Sequence, residues 1–333
     1  MTADTAKKVI TVVGATGTQG SSVARSLLEN PTFEVRCVTR DIFSAKAQAL
    51  KQLGAVLVKA DGFDVTQMTQ AFNGSWGAFI NTNSEDPLLA ELGKTDVDLG
   101  GNILRSATAA GVRHVVYSSA PKPAKLTNGD IRIPGLDWKA EVEAIGHELP
   151  FQTFTPIILA WFLENFLSGP YSEIFGGFPI KEDEEGYLTY RIPLWGGRED
   201  APWISVTDDL GDIVHGIFLD PLRWNGRLVQ ANGDISSFSE IVSKFVKVTG
   251  RKARFIPYAS PDDFPTHGLQ FLQMVRDTFK WTQLRGGEYY GTQITELRSA
   301  AELKQASFHA KGGKGRETLL SVEEWFKAHF ANH

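Results

Sequence analysis

Three glycines stand at intervals of three in "VVGATGTQGSS": Gly14, Gly17 and Gly20, after the β-branched run "VITVV" and before the amphipathic stretch "SSVARSLLEN". A strand, a glycine turn and a helix in that order build an anion site. Gly14 permits the tight turn, Gly17 lets backbone N–H groups approach a pyrophosphate, and Gly20 lets helix and strand pack closely. Thr16, Thr18 and Gln19 share that loop and join the candidate dinucleotide-binding set. The spacing departs from the commoner GxGxxG, so the strand-turn-helix context carries the reading. A turn needed only for folding is the alternative.

Polar residues closing the next strands extend the site. The second strand ends "CVTRD", where Thr39 and Arg40 suit the extra phosphate of NADP(H) and Asp41 is the competing NAD(H) reading. Asp61 in "VKADGFD" would accept from the adenine amino group, and Asn81, Thr82 and Asn83 in "INTN" would lie along the ribose. Each is equally a residue type that caps turns.

The elements that must position these residues alternate. "VITVV", "FEVRCVTR", "AVLVKAD", "WGAFINT", "RHVVYSS" and "FQTFTPIIL" are β-rich and are separated by amphipathic or capped stretches. That alternation predicts βαβ units and a doubly wound parallel sheet of Rossmann type, with ligands at the carboxyl ends of its strands. The predicted division is a dinucleotide-binding domain over 1–159 and a smaller α+β region over 160–333. Some segments of the latter are expected to return to the main sheet. Helices are predicted over Thr207–Pro221 and from Ser236, the second with Glu240 in a capping box and Gly250 as its stop.

Composition narrows the function. The 333 residues are 42% hydrophobic and 22% charged, enough for a sizeable core. Lys plus Arg number 34 against 39 acidic residues, a net charge of -5 without a basic block, which argues against direct nucleic-acid binding. No run approaches the roughly 18 apolar residues of a membrane span and no secretory h-region opens the chain, so a soluble cytoplasmic protein, with the nucleus as a further site, is expected. Cys37 reads as a buried strand residue. His114 and His147 are isolated and read as structural, and no metal is expected.

The chain resembles the NmrA-like family, atypical members of the short-chain dehydrogenase/reductase superfamily. The resemblance spans nearly the whole sequence and rests on "VVGATGTQG", "AFINT", "GVRHVVYSS", "FLENF", "WISVTDDLGDIV" and "GGEYYG". It implies a Rossmann domain, a small C-terminal domain, a cleft between them and a preference for NADP. Some members resemble reductases of phenolic compounds or of fungal secondary metabolism. Others are redox-sensing regulators that bind the dinucleotide and a protein partner, such as a transcription factor.

In the superfamily a Tyr acid precedes a Lys by four residues. Lys139 in "LDWKAEVEAIGHEL" matches that lysine, but Gly135 stands at the tyrosine position. Ser118 and Ser119 match the substrate-polarising serine, or serve as a turn. The phenolic-compound reductases also lack the Tyr, so Lys139 would act as a general acid or bind the nicotinamide ribose. Tyr171, Phe175, Phe178, Tyr187, Tyr190, Trp195, Phe279, Trp281, Tyr289 and Tyr290 would line a cleft for a flat carbonyl, alkene or imine, or simply fill a core. The expected activity is an NADP(H)-dependent oxidoreductase acting on a small molecule. The alternative is a non-catalytic sensor using "PKPAKLTNGDIRIPGL" and the C-terminal region as partner surfaces.

Overall fold

Short β-branched runs whose two faces are both covered by helices form a parallel sheet. In the computed structural model, which describes residues 6–291 and 293–331, these are β1 (Lys8–Val13), β2 (Phe33–Thr39), β3 (Val56–Lys59), β4 (Gly77–Ile80), β5 (His114–Ser119) and β6 (Thr153–Leu159), each where the sequence pattern puts it. Later come β7 (Trp161–Phe162), β8 (Leu188–Tyr190), β9 (Pro202–Ile204), β10 (Val229–Ala231), β11 (Asp234–Ile235) and β12 (Ala253–Phe255). The main sheet runs β10-β6-β5-β4-β1-β2-β3 with every pair parallel. Strand order reverses between β1 and β4, so the carboxyl ends of those two strands flank the crevice.

One face of the sheet packs against Thr18–Leu28, Gly211–Leu219 and Arg298–Ala310, and the other against Val65–Phe72, Asp96–Ala109 and Pro134–Glu148. Segments from far along the chain therefore cover the sheet as well as its early helices. Lys304, wholly buried, pins them there: its ammonium lies 2.7 Å from Asp209 and 3.2 Å from Asp212. The helix predicted over Thr207–Pro221 is there but opens with a π-helical turn, Val206–Leu210, before the α-helix Gly211–Leu219. Ser237 and Glu240 form the capping box of Phe238–Thr249, and Gly250 ends it at φ 70°.

β7, β9 and β11 form one small sheet, and β8 and β12 another. Between them lies an aromatic core in which Phe166, Phe175, Phe178, Tyr190, Trp195, Trp203, Phe238, Phe279 and Trp281 are buried against one another. Of the two readings of these residues, a cleft lining or a core, the packing takes the core for most of them. Offset and edge-to-face contacts among large rings bury them more completely than any groove would, and most of the aromatic residues between 171 and 290 are spent on that core. Among the described residues, no helix is long and apolar enough to cross a membrane.

Candidate functional site

Gly14 closes β1 at φ 75°, in the left-handed region, and a Cβ there would come 2.8 Å from the Asn81 carbonyl oxygen. Its own carbonyl accepts from the Gly17 N–H at 3.0 Å, tightening the turn. The following helix starts at Thr18, earlier than the "SSVARSLLEN" reading, with Gly17 as N-cap and no side-chain cap. The leading N–H groups and positive end of that helix are thus available to an anion. A Cβ on Gly17 would touch only the Gly14 carbonyl, at 3.3 Å, whereas one on Gly20 would overlap the Gly14 peptide.

Beside the turn lies a cleft of about 420 Å³, lined by Gly14 and Thr16 after β1, Thr39, Arg40 and Asp41 after β2, Asp61 after β3, and Asn81, Thr82 and Asn83 after β4. Several of these also hold their own loops. Asp41 accepts from Phe43 N at 2.8 Å, Asp61 from Phe63 N at 2.9 Å, and Asn83 from Glu85 N at 3.2 Å. The Thr39 hydroxyl accepts from Asp41 N, and Arg40 pairs with Asp86 at 2.9 Å. Asn81 keeps a buried side-chain oxygen with no partner among the described residues, which suits a bound donor such as a ribose hydroxyl.

The two serines ending β5 point apart. Ser118 donates to Gln19 at 2.7 Å, bringing that strand end against the glycine loop. Ser119 donates instead to the buried Glu143, which also takes Lys122 at 2.8 Å. Lys139, on the helix Pro134–Glu148, donates to the Thr82 carbonyl at 2.8 Å and to its hydroxyl at 3.1 Å. Burial lowers the pKa of its ammonium, and Asp96 nearby pulls it back up.

Residues 6–304 match the NmrA-like family. The chain belongs to that family. The NmrA-like family domain-containing oxidoreductase himF of Aspergillus japonicus is 53% identical over 328 residues, covering 98% of this chain and 99% of that protein. Its counterpart lnaB of Aspergillus flavus is 48% identical over 330 residues, covering 98% and 99%. Among solved structures, NmrA, a negative transcriptional regulator in complex with NADP, shares the fold with a TM-score of 0.71 at 21% identity, over 98% of this chain and 96% of that one. An NADPH-dependent quinone oxidoreductase from Escherichia coli, complexed with NADPH, does so with a TM-score of 0.69 at 19% identity, over 96% and 99%.

In this NmrA-like chain the motifs are joined in space. Glu164 of "FLENF" accepts from Thr207 N at 2.8 Å and Ser205 at 3.0 Å, both in "WISVTDDLGDIV". Tyr289 of "GGEYYG" donates to the Leu159 carbonyl ending β6 at 3.3 Å. The stretch "PKPAKLTNGDIRIPGL" is anchored by Asp137, which accepts from Ala124 N and Ile133 N. His114 bonds Thr153 at 2.9 Å inside the fold, and His147 lies 3.8 Å from Glu143.

Three residues escaped the sequence reading. Lys46 lines both the cleft and an adjoining hollow of about 260 Å³ shared with Thr16, Gly17 and Arg25. A basic residue soon after a strand-end arginine was the available signal. Asp86 in "SEDP" caps one helix and Asp96 in "KTDVD" opens another, and the Asp-Pro and Thr-x-x-Asp patterns of helix starts were the available signals.

Proposed function

We propose that this protein is an NADP(H)-dependent oxidoreductase reducing a carbonyl, alkene or imine on a small aromatic or apolar molecule. The observation that carries the reading is the lining of the cleft: Arg40, Lys46 and Thr82 face it, the open helix N-terminus at Thr18 is beside it, and Lys139 lies behind Thr82. Relatives at 53% and 48% identity bear oxidoreductase names, and solved proteins of this fold hold NADP or NADPH. The likeness to the negative regulator is one of fold, so the enzyme reading is favoured over the sensor.

When bound, the dinucleotide supplies the hydride. The backbone N–H groups of Thr18, Gln19 and Gly20 hold the pyrophosphate. Thr39, Arg40 and Lys46 bind the 2′-phosphate, with Arg40 exchanging Asp86 for it, and Asp61 takes the adenine amino group. Asn81, Thr82 and Asn83 follow the ribose. Lys139 gives the substrate its proton, directly or through water, and Ser118, exchanging Gln19 for the substrate, polarises the reacting group; Ser119, turned to Glu143, supports the fold instead. Residues 160–333 supply the substrate wall, and the buried Cys37 thiol suits a reducing, cytoplasmic setting.

The test is NADPH oxidation with a panel of aromatic carbonyls, activated alkenes and imines. On the substrate found, Lys139→Met should cut turnover by about 10² to 10⁴ while NADPH affinity falls far less. No NADPH consumption across the panel, with capture of a protein partner that depends on the dinucleotide, would return the sensor reading.

A further inference from the structure

The ammonium of Lys139 has a buried counter-ion on another helix. Asp96 opens Asp96–Ala109 just after the Thr95 cap and is wholly buried. One of its oxygens accepts from Thr82 at 2.9 Å and Ser84 at 2.6 Å, and lies 3.7 Å from Lys139 Nζ. The Thr82 hydroxyl therefore stands between the two charges, accepting from Lys139 at 3.1 Å and donating to Asp96. The other Asp96 oxygen has no hydrogen-bond partner among the described residues. A carboxylate with an open lone pair in a dry interior survives only beside positive charge, and here that charge is Lys139 together with the N-terminal end of its own helix.

We propose that Asp96 is a positioning residue: directly and through Thr82, it keeps Lys139 protonated and aimed at the reacting end of the cofactor cleft. The inference rests on Lys139 acting as the proton donor proposed above. Gly135 stands at the position of the tyrosine, and Asp137 on the same turn is occupied in accepting from Ala124 N and Ile133 N, so the charge state of Lys139 decides whether a proton is available. The surrounding titratable groups do not replace Asp96. Tyr117 on β5 presents a buried hydroxyl whose own pKa is pushed up by burial and by Asp96. Glu143, one turn further along the helix, is engaged by Ser119 and Lys122. Asp98 and Arg105, on the helix of Asp96, are exposed.

The experiment is a pH titration of the full chain labelled with ¹³C,¹⁵N-lysine, the Lys139 signal being assigned by its loss in Lys139→Met. In Asp96→Asn the Lys139 midpoint should move to lower pH by about one unit or more, a tenfold change in its protonation constant. Thr82→Val, which keeps the shape and removes the relaying hydroxyl, should move it the same way by less, and it carries the test if Asp96→Asn does not fold. A midpoint unchanged from the native one in the folded variants overturns the proposal. That outcome is separate from the function itself: full turnover in Lys139→Met would defeat the acid role, whereas an unmoved midpoint would remove only Asp96 from it.

Discussion

Gly17 and Gly20 lie one helical turn apart, yet the structure assigns their substitutions opposite effects. A Cβ on Gly20 would lie 2.6 Å from the Gly14 carbonyl carbon and 2.8 Å from Ala15 Cα, all backbone, so the helix must move off the end of β1. Overpacking of this kind costs about 1–3 kcal/mol, and at roughly 2–4 °C per kcal/mol Gly20→Ala should melt some 2–12 °C below the native protein. Gly17 has φ -81° and ψ 170°, open to any residue, and a Cβ there would meet only the Gly14 carbonyl oxygen, at a tight 3.3 Å that a shift of a few tenths of an ångström relieves. Gly17→Val should therefore melt close to the native protein. Its isopropyl group would fill the space before the uncapped N–H groups. Losing two charge-assisted bonds at about 1.5 kcal/mol each weakens NADPH on the order of a hundredfold. Calorimetry on both variants reads melting and binding together. A Gly17→Val protein that folds and keeps native NADPH affinity, or a Gly20→Ala protein with native melting, would refute the reasoning.

Arg40→Ala should weaken NADPH by roughly ten- to a hundredfold while leaving NADH nearly unchanged, because hydrogen bonds between charged groups are worth about 1.5–3 kcal/mol; equal losses for both dinucleotides in a titration would show that Arg40 does not meet the 2′-phosphate. Lys304→Met should destabilise the fold by about 3–5 kcal/mol in urea unfolding, since Asp209 would be left buried without its cation; a loss under about 1 kcal/mol counts against this. Acid should destabilise the protein through His215, whose pKa burial pushes down to about 4. Thr32 donates twice to Asn30 Oδ1, so the Asn30 amide turns its N–H to His215 Nε2 and that nitrogen has no room for a proton. The unfolded chain binds the proton near pH 6.5 and the folded one only near 4, so this contribution to stability is complete above 6.5 and is lost as pH falls, at up to about 1.4 kcal/mol per pH unit between the two. His215→Gln should flatten that limb of a stability–pH curve, and an unaltered slope would clear His215 of the effect.

The parallel strands β1 to β6 were legible because a strand buried on both faces writes itself as a short β-branched run, whatever lies elsewhere in the chain. The same locality made the glycine loop readable: the backbone at Gly14 and the close packing at Gly20 are demands met within a few residues. Arg40, Asp61 and Asn81 could be placed at the cleft by counting strand ends. Which partners they take could not be counted. Arg40 with Asp86, and Lys139 with Thr82 and Asp96, meet across loops and helices whose separation depends on how the sheet is covered.

The later half of the chain shows the boundary most clearly. Its aromatic residues announce large buried surfaces, but a ring that lines a groove and a ring that fills a core have the same sequence signature, and only packing put Trp195, Phe279 and Trp281 in the core. Likewise nothing near Lys304 in sequence says that its ammonium lies between Asp209 and Asp212. Sequence alone determined the early strands and the glycine turn, since backbone conformation is set by neighbouring residues. Tertiary structure decided the charge pairs and the state of Lys139, because electrostatics in a dry interior depends on which distant groups folding brings within a few ångströms.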